Sequence, residues 1–391
     1  MRDLYEAWVE FQVFDASGKA IFHSGYVKPD GMLDESAHVY KQIILDEQGR
    51  QITRHQIWTT NIKAYDNTIN AGRSDVVRFR FKVPELSNGL MARRGVASKF
   101  SRSLVQSAIT LRARVNYRRL NQEYIDYVLN RQKRSLKIPI VQMAEAETKL
   151  AVGGLVVINR SGSGSGTPEW KRWNDYGIGL LEQAQYGAAA EAFRRASAIV
   201  PTDPNLLVNA AIAEMQTERF APEREQFRKA ALLLDAALRI DPQRARARYY
   251  RALVWRADDK FREAAEELKQ IAGDYPRDRE VQRQLAHTFW ALGRLAEART
   301  ALEAVLKIDP TDFLAYQSLS PLYLSEGRKA EAARANALYL LWRDDPRADA
   351  IAARFYVAHP EWSDERIGSH THDQRSSRRP VLIGQHASPD K

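Results

Sequence analysis

The chain has 391 residues, 44% of them hydrophobic and 28% charged, with a formal charge of +10 and no cysteine. That is the balance of a folded globular protein, and the length suits two cores, since domains usually run about 100–200 residues. The composition excludes disulfides, thiolate catalysis, thiol-bound zinc, iron–sulfur clusters and covalent c-type haem within the chain, and no stretch nears the roughly 18–20 apolar residues of a transmembrane helix.

Lys/Arg and Asp/Glu are interspersed, so the positive excess favours acidic partners without giving a nucleic-acid signature. Met1-Arg2-Asp3-Leu4 has neither the basic nor the apolar region of an export signal. The chain as written is therefore expected to be cytoplasmic if its start is genuine. A beginning so close to a strand also fits a piece of a longer protein.

Residues 1–160 read with period two and predict an antiparallel, sandwich-like β domain. Strands are expected at Trp8–Phe14, Ala20–Ser24, His38–Leu45 and Gln51–Trp58. Asp15–Lys19 and Asp46–Arg50 join them in pairs with glycine-bearing hairpin turns. Val77, Phe79, Phe81 and Val83 alternate with Arg78, Arg80 and Lys82 before Pro84. Ile109 to Tyr117 repeats that alternation. Pairing of these two strands would gather Arg78, Arg80, Lys82, Arg112 and Arg114 into one basic patch. A short helix is expected at Asn121–Asn130 and the last strands at Ile138–Ile158.

Ser161–Gly166 is a Gly/Ser run that reads as a flexible linker (161–167), because no Lys-Ser/Thr follows it as a phosphate loop requires. Thr167-Pro168 is expected to cap and open the first helix of a solenoid spanning 168–360. Asp259, Gly293 and Gly327 stand 34 residues apart at turns, and Pro242, Pro276 and Pro310 share that interval at the ends of helix pairs. A 34-residue period marks tetratricopeptide (TPR) stacking. In the first unit Trp173, Tyr176, Gly177, Leu180, Ala189, Phe193, Ala196 and Pro201 fall in the TPR register. Four to five repeats are expected, with Thr217–Glu225 lengthening the turn of the second and Ala348–Ala358 capping the stack. Residues 361–391 read as a mostly disordered basic tail.

No Ser/His/Asp set, HExxH, paired-carboxylate signature or phosphate loop is present, so a non-catalytic interaction scaffold is expected. The repeat register places Arg246, Tyr249, Arg256, Arg283, His287, Trp290 and Gln317 on the inner helices. Arg and aromatic side chains there suit a protein or acidic peptide partner, while each residue alone also reads as a solvated helix face. His370 and His372, near His359, are the best candidates for metal or distal haem ligands, against the plainer reading as surface histidines. His38 shares a strand face with Tyr40, which reads as packing.

Several stretches together resemble the C-terminal portion of bacterial multihaem c-type cytochromes that end in TPR repeats. These are Trp8-Val9-Glu10-Phe11, His38-Val39-Tyr40, Trp58, Arg114–Arg119, Met143-Ala144, Arg172–Leu180, His359-Pro360, Glu365-Arg366 and His370-x-His372. That family implies periplasmic export and electron transfer through upstream Cys-x-x-Cys-His sites. This sequence has none, so the resemblance implies a β-plus-TPR module that accompanies or docks with a haem domain. No cofactor is then expected within the chain itself. His38, His370 and His372 become candidates for non-covalent contact with haem held by another chain or segment.

Overall fold

The computed structural model describes residues 4–82, 107–130, 136–152, 166–217, 225–344, 346–359 and 370–373. They form two compact units, one of residues 1–68, 77–166 and 355–391, the other of 69–76 and 167–354.

In the first unit β1 (Glu6–Phe14) is the organising strand. Along one edge it pairs antiparallel with β7 (Ser107–Arg118), which in turn pairs with β8 (Val141–Val152). Its other edge is shared by β2 (Ala20–Ser24) and β3 (His38–Tyr40). The turn at Asp15–Lys19 forms as expected, with the Asp15 carboxylate accepting from the Ser17 and Lys19 amides. Helix α1 (Gln122–Asn130) follows β7. Trp8 is fully buried and donates from Nε1 to the Gly25 carbonyl at 2.9 Å. Arg118, 2% exposed, pairs with Glu6 and donates to the Gly31 carbonyl at 2.6 Å, its guanidinium 5.7 Å from the Trp8 ring.

The sandwich expectation needs correcting. One five-stranded antiparallel sheet is accompanied by two separate two-stranded ladders, β4 (Gln42–Leu45) with β5 (Ile62–Asp66), and β6 (Phe79–Arg80) with β9 (His372–Asp373). His38–Leu45 is two strands, not one, and they join different sheets. The expected strand at Gln51–Trp58 is a single bridge from Gln51 to Leu45, followed by a 3-10 turn at Ile57–Thr59 that leaves Trp58 exposed. The strand that returns to β4 is β5, because Ile62 and Tyr65 supply the buried face.

The β6/β9 ladder is parallel, and its second strand comes from the stretch expected to be a disordered tail. The Arg patch does not form either, since β6 pairs with β9 and not with β7. Arg112 instead donates to Glu147 at 2.8 Å and Arg114 to Glu145 at 2.9 Å on β8. Pro84, the Ser161–Ser165 linker and Arg375–Pro380 lie outside the described residues.

The second unit consists of five helical hairpins: α2/α3 (Glu169–Glu182, Tyr186–Ile199), α4/α5 (Pro204–Gln216, Glu225–Ile240), α6/α7 (Ala245–Ala257, Phe261–Asp274), α8/α9 (Arg279–Ala291, Leu295–Ile308) and α10/α11 (Phe313–Ser325, Lys329–Trp342). Pro168 takes the N-cap position itself and Glu169 begins α2. A small residue recurs on each first helix as Gly177, Ala211, Ala252, Ala286 and Ser320. On each second helix it recurs as Ala189, Ala230, Ala264, Ala298 and Ala332, none more than 2% exposed. These positions let paired helices approach closely, and Phe193, Leu234, Leu268 and Leu302 fill the space between hairpins. Ala189 and Ala230 are 41 residues apart instead of 34; five of the seven extra residues fall between α4 and α5 and two in the first turn of α5. Most of that lengthened turn, 218–224, lies outside the described residues.

The expected turn positions have left-handed backbone, with φ of 58° at Asp259, 71° at Gly293 and 76° at Gly327. The first hairpin uses Ala184, at 56°, for the same turn. Glycine adopts this conformation freely, whereas a side chain there costs on the order of 1 kcal/mol.

Two boundaries also differ from expectation. Residues 69–76 belong with the helices: Gln183 Nε2 donates to Asp75 Oδ1 at 2.9 Å and to the Val76 carbonyl at 2.8 Å, and Arg73 pairs with Glu182. A methyl group on Gly179 would lie 2.8 Å from Val76. Helix α12 (Ala348–Ala358) is divided at the boundary: Ala348–Arg354 stay with the helical unit, and the last turn goes with the β unit, where the Tyr356 hydroxyl donates to the Ala64 carbonyl. Its buried residues Ile351, Phe355 and Tyr356 lie along one stripe. Leu340, Leu341 and Trp342 at the end of α11 remain exposed.

Candidate functional site

Among the first helices, α2 approaches α4 and α4 approaches α6, while α6, α8 and α10 are linked by side-chain contacts between them. The repeat sets the register of this inner wall. Aspartates at the helix starts, Asp203, Asp278 and Asp312, cap the free amides and hold the phase of α4, α8 and α10.

All seven expected wall residues lie on α6, α8 and α10, and six of them join a ladder of polar contacts or pack beside it. Arg246 donates to Asn209 at 2.7 Å, and Asn209 donates to Asn174 at 2.9 Å. Tyr249 reaches Glu280 at 3.5 Å, and Arg256 donates to the Gln284 side chain. Arg283 bonds Glu280 and, at 3.3 Å, Asp312. His287 lies 3.4 Å from the Ser318 hydroxyl, while Trp290 is half-buried against the core of the last three hairpins. Gln317 is exposed. Sequence reasoning missed Asn174, Asn209, Glu280, Gln284, Asp312 and Ser318. Their signal was the same repeat register, which places Asn174 and Asn209 at nearly equivalent positions.

Charge is distributed unevenly along this wall. Arg283 faces two carboxylates, so its charge is compensated. Arg256 hydrogen-bonds a neutral amide, its Nε–H is buried without an acceptor among the described residues, and the Glu280 carboxylate acts on it only through space. Burial, reinforced by Glu280, pushes the Tyr249 hydroxyl pKa up, so the group remains a donor. Against the upward pull of its own burial, hydrogen bonds from Gln284 and Arg283 hold Glu280 below the usual carboxylate range. Burial and then Arg256 push His287 below the ordinary histidine value.

The His287 shift predicts a pH effect. The folded state favours neutral His287, so its contribution to stability is complete above the unfolded pKa of about 6.5 and is lost as pH falls below it. Replacing His287 with glutamine should flatten the acid-side fall in stability by less than one proton equivalent, read from urea midpoints between pH 7 and 5. An unchanged slope refutes this.

The histidines singled out from the sequence converge in the β unit. His38 Nδ1 lies 3.0 Å from His372 Nε2, and His370 Nε2 lies 2.9 Å from the same atom. His38 and His372 are buried, at 4% and 6% exposure, and His370 is half-buried. The expected packing of His38 on Tyr40 is present too, edge to face at 4.8 Å.

Residues 256–321 match a tetratricopeptide-repeat family model, and residues 221–279 match a second. The helical unit thus contains tetratricopeptide repeats, a protein-binding architecture. Neither model describes a cytochrome. Among solved structures the chain is similar to a MamA RS-1 double mutant (16% identity, TM-score 0.40, covering 46% of this chain and 96% of that one). It is likewise similar to MamA residues 41 to the end from Desulfovibrio magneticus RS-1 (16%, 0.39, 46% and 97%) and to MamA AMB-1 (19%, 0.36, 44% and 89%). No curated protein matches the chain in sequence. Among the described residues no helix is long and apolar enough to cross a membrane.

Proposed function

We propose that the chain is a non-catalytic scaffold whose TPR wall binds an acidic segment of a protein partner, with the β unit as an accessory domain. The observation that carries this reading is the grouping of half-buried Tyr249, Arg256 and Trp290 on adjacent first helices, with the Arg256 charge set against a neutral amide. Aromatic and arginine side chains that are partly desolvated before binding are the types that dominate interface energies. A partner carboxylate would supply the charge that Gln284 does not, and Trp290 and Tyr249 offer apolar anchors on either side. Arg283, held by Glu280 and Asp312, acts as a brace for the wall.

The test is fluorescence polarisation with a labelled Glu-rich peptide carrying leucine and phenylalanine anchors, beside its Glu→Lys counterpart. The acidic peptide should bind, more weakly as salt rises, and the Lys peptide should not. The triple change Tyr249→Ala, Arg256→Ala and Trp290→Ala should weaken binding at least about 30-fold, the loss of one strong hot spot. Equal binding of both peptides, or full affinity in the triple variant, overturns the proposal.

A further inference from the structure

We infer that His38, His370 and His372 form a binding site for one divalent transition metal ion of the zinc class. The three ligand nitrogens, Nδ1 of His38 and Nε2 of His370 and His372, lie within 4.8 Å of one another. A tetrahedral ion with metal–nitrogen bonds of about 2.0–2.1 Å asks for about 3.3 Å between its ligands. Two of the contacts, at 2.9 and 3.0 Å, are already near that spacing, and the remaining pair lies within 4.8 Å.

Each ring nitrogen carries either one hydrogen or one in-plane lone pair. The His372 Nε2 atom has two imidazole nitrogens at contact distance, His38 Nδ1 at 3.0 Å and His370 Nε2 at 2.9 Å. A metal ion takes the lone pairs of all three.

The surroundings prepare the site. His38 is fixed by the β1/β3 ladder opposite Val9, and His372 by the β6/β9 ladder, where its amide donates to the Arg78 carbonyl at 2.8 Å. Tyr40 lies edge-on to the His38 ring, and the Phe79 ring lies 5.2 Å from His372, so aromatic faces shield the nitrogens from water. An all-imidazole set suits zinc, cobalt, nickel and copper and excludes the hard cations magnesium and calcium. Three nitrogens within 4.8 Å of one another fit a bare ion. Haem iron takes its axial ligands on opposite faces of the porphyrin. Because positions 38 and 372 are 334 apart in sequence, the ion would also clip a C-terminal strand of two residues to the β unit.

The test uses the full chain, stripped with chelator and titrated with Co2+ as the spectroscopic probe. One equivalent should give the intense visible band of a four-coordinate site, and Zn2+ should displace it. His370→Gln and His372→Gln should each weaken binding by more than about 100-fold, beyond the 10–100-fold carried by outer partners of a metal site. His23→Gln, at a histidine outside the cluster, should bind as the parent does. Because His370 is half-exposed, its variant also guards against a loss of folding, which circular dichroism reads directly. Absence of saturable Co2+ and Zn2+ binding, or unchanged affinity in folded His370→Gln, overturns the inference. So does hemin binding with a two-histidine spectrum in place of Co2+ uptake.

Discussion

Replacing Gly177 with alanine is expected to destabilise the helical unit by about 1–3 kcal/mol, although alanine is the better helix former. The added methyl group would lie 2.7 Å from the Phe193 ring, closer than packed carbon atoms allow. Phe193→Ala should cost about 3–5 kcal/mol, since that ring is fully buried. The two changes should be strongly coupled. With the ring removed, the methyl group enters open space and the helix preference of alanine reappears, so Gly177→Ala becomes neutral or stabilising in the Phe193→Ala background. Urea unfolding of the four proteins, followed by far-UV circular dichroism, measures this cycle. Additive losses would show that α2 and α3 do not meet through these residues.

In the β unit, Arg118→Ala is expected to cost about 3–5 kcal/mol. The change removes the ion pair with Glu6, the bond to the Gly31 carbonyl and the contact with Trp8 together, and it leaves the partly buried Glu6 carboxylate without that partner. Glu6→Gln retains a hydrogen-bond acceptor and should cost much less. Protection of the β1 and β7 amides from hydrogen exchange reports the difference. A loss below about 1 kcal/mol for Arg118→Ala would mean that the pair is only a surface contact.

The helical half was legible because a repeat states its own geometry several times. Small residues at a fixed interval, prolines two residues past helix ends and left-handed turns at Asp259, Gly293 and Gly327 are independent records of one packing rule. The β half carries no such redundancy. Period-two alternation found Trp8–Phe14 and Ile109–Tyr117, which lie within the two strands that pair along nearly the whole of β1. It failed at Gln51–Trp58, where alternation occurs without a strand partner, and at His372–Asp373, where two residues are too few to show a pattern. Pairing partners are a tertiary property, and this is also why the histidine cluster was visible only as scattered candidates. The wall residues were placed on their helices correctly. Their polar partners were not, because side-chain bonds between neighbouring hairpins depend on rotamers that the repeat does not specify. The Asn-Asp-Tyr-Gly-Ile-Gly-Leu string that carried the family resemblance has a packing explanation, since Gly177 receives the Phe193 ring and Gly179 receives the Val76 side chain.

The interleaving of the two units along the chain bears on how the protein is made. The partner of β6 is made after the helical unit, so the β unit is begun before that unit and completed after it. A ribosome that stops after α11 would release a finished solenoid attached to an unfinished sheet. Cutting the gene at the Gly/Ser run would separate residues 69–76 from the notch at Gly179 that receives them. Each half therefore depends for its completion on a strip of sequence encoded within the other.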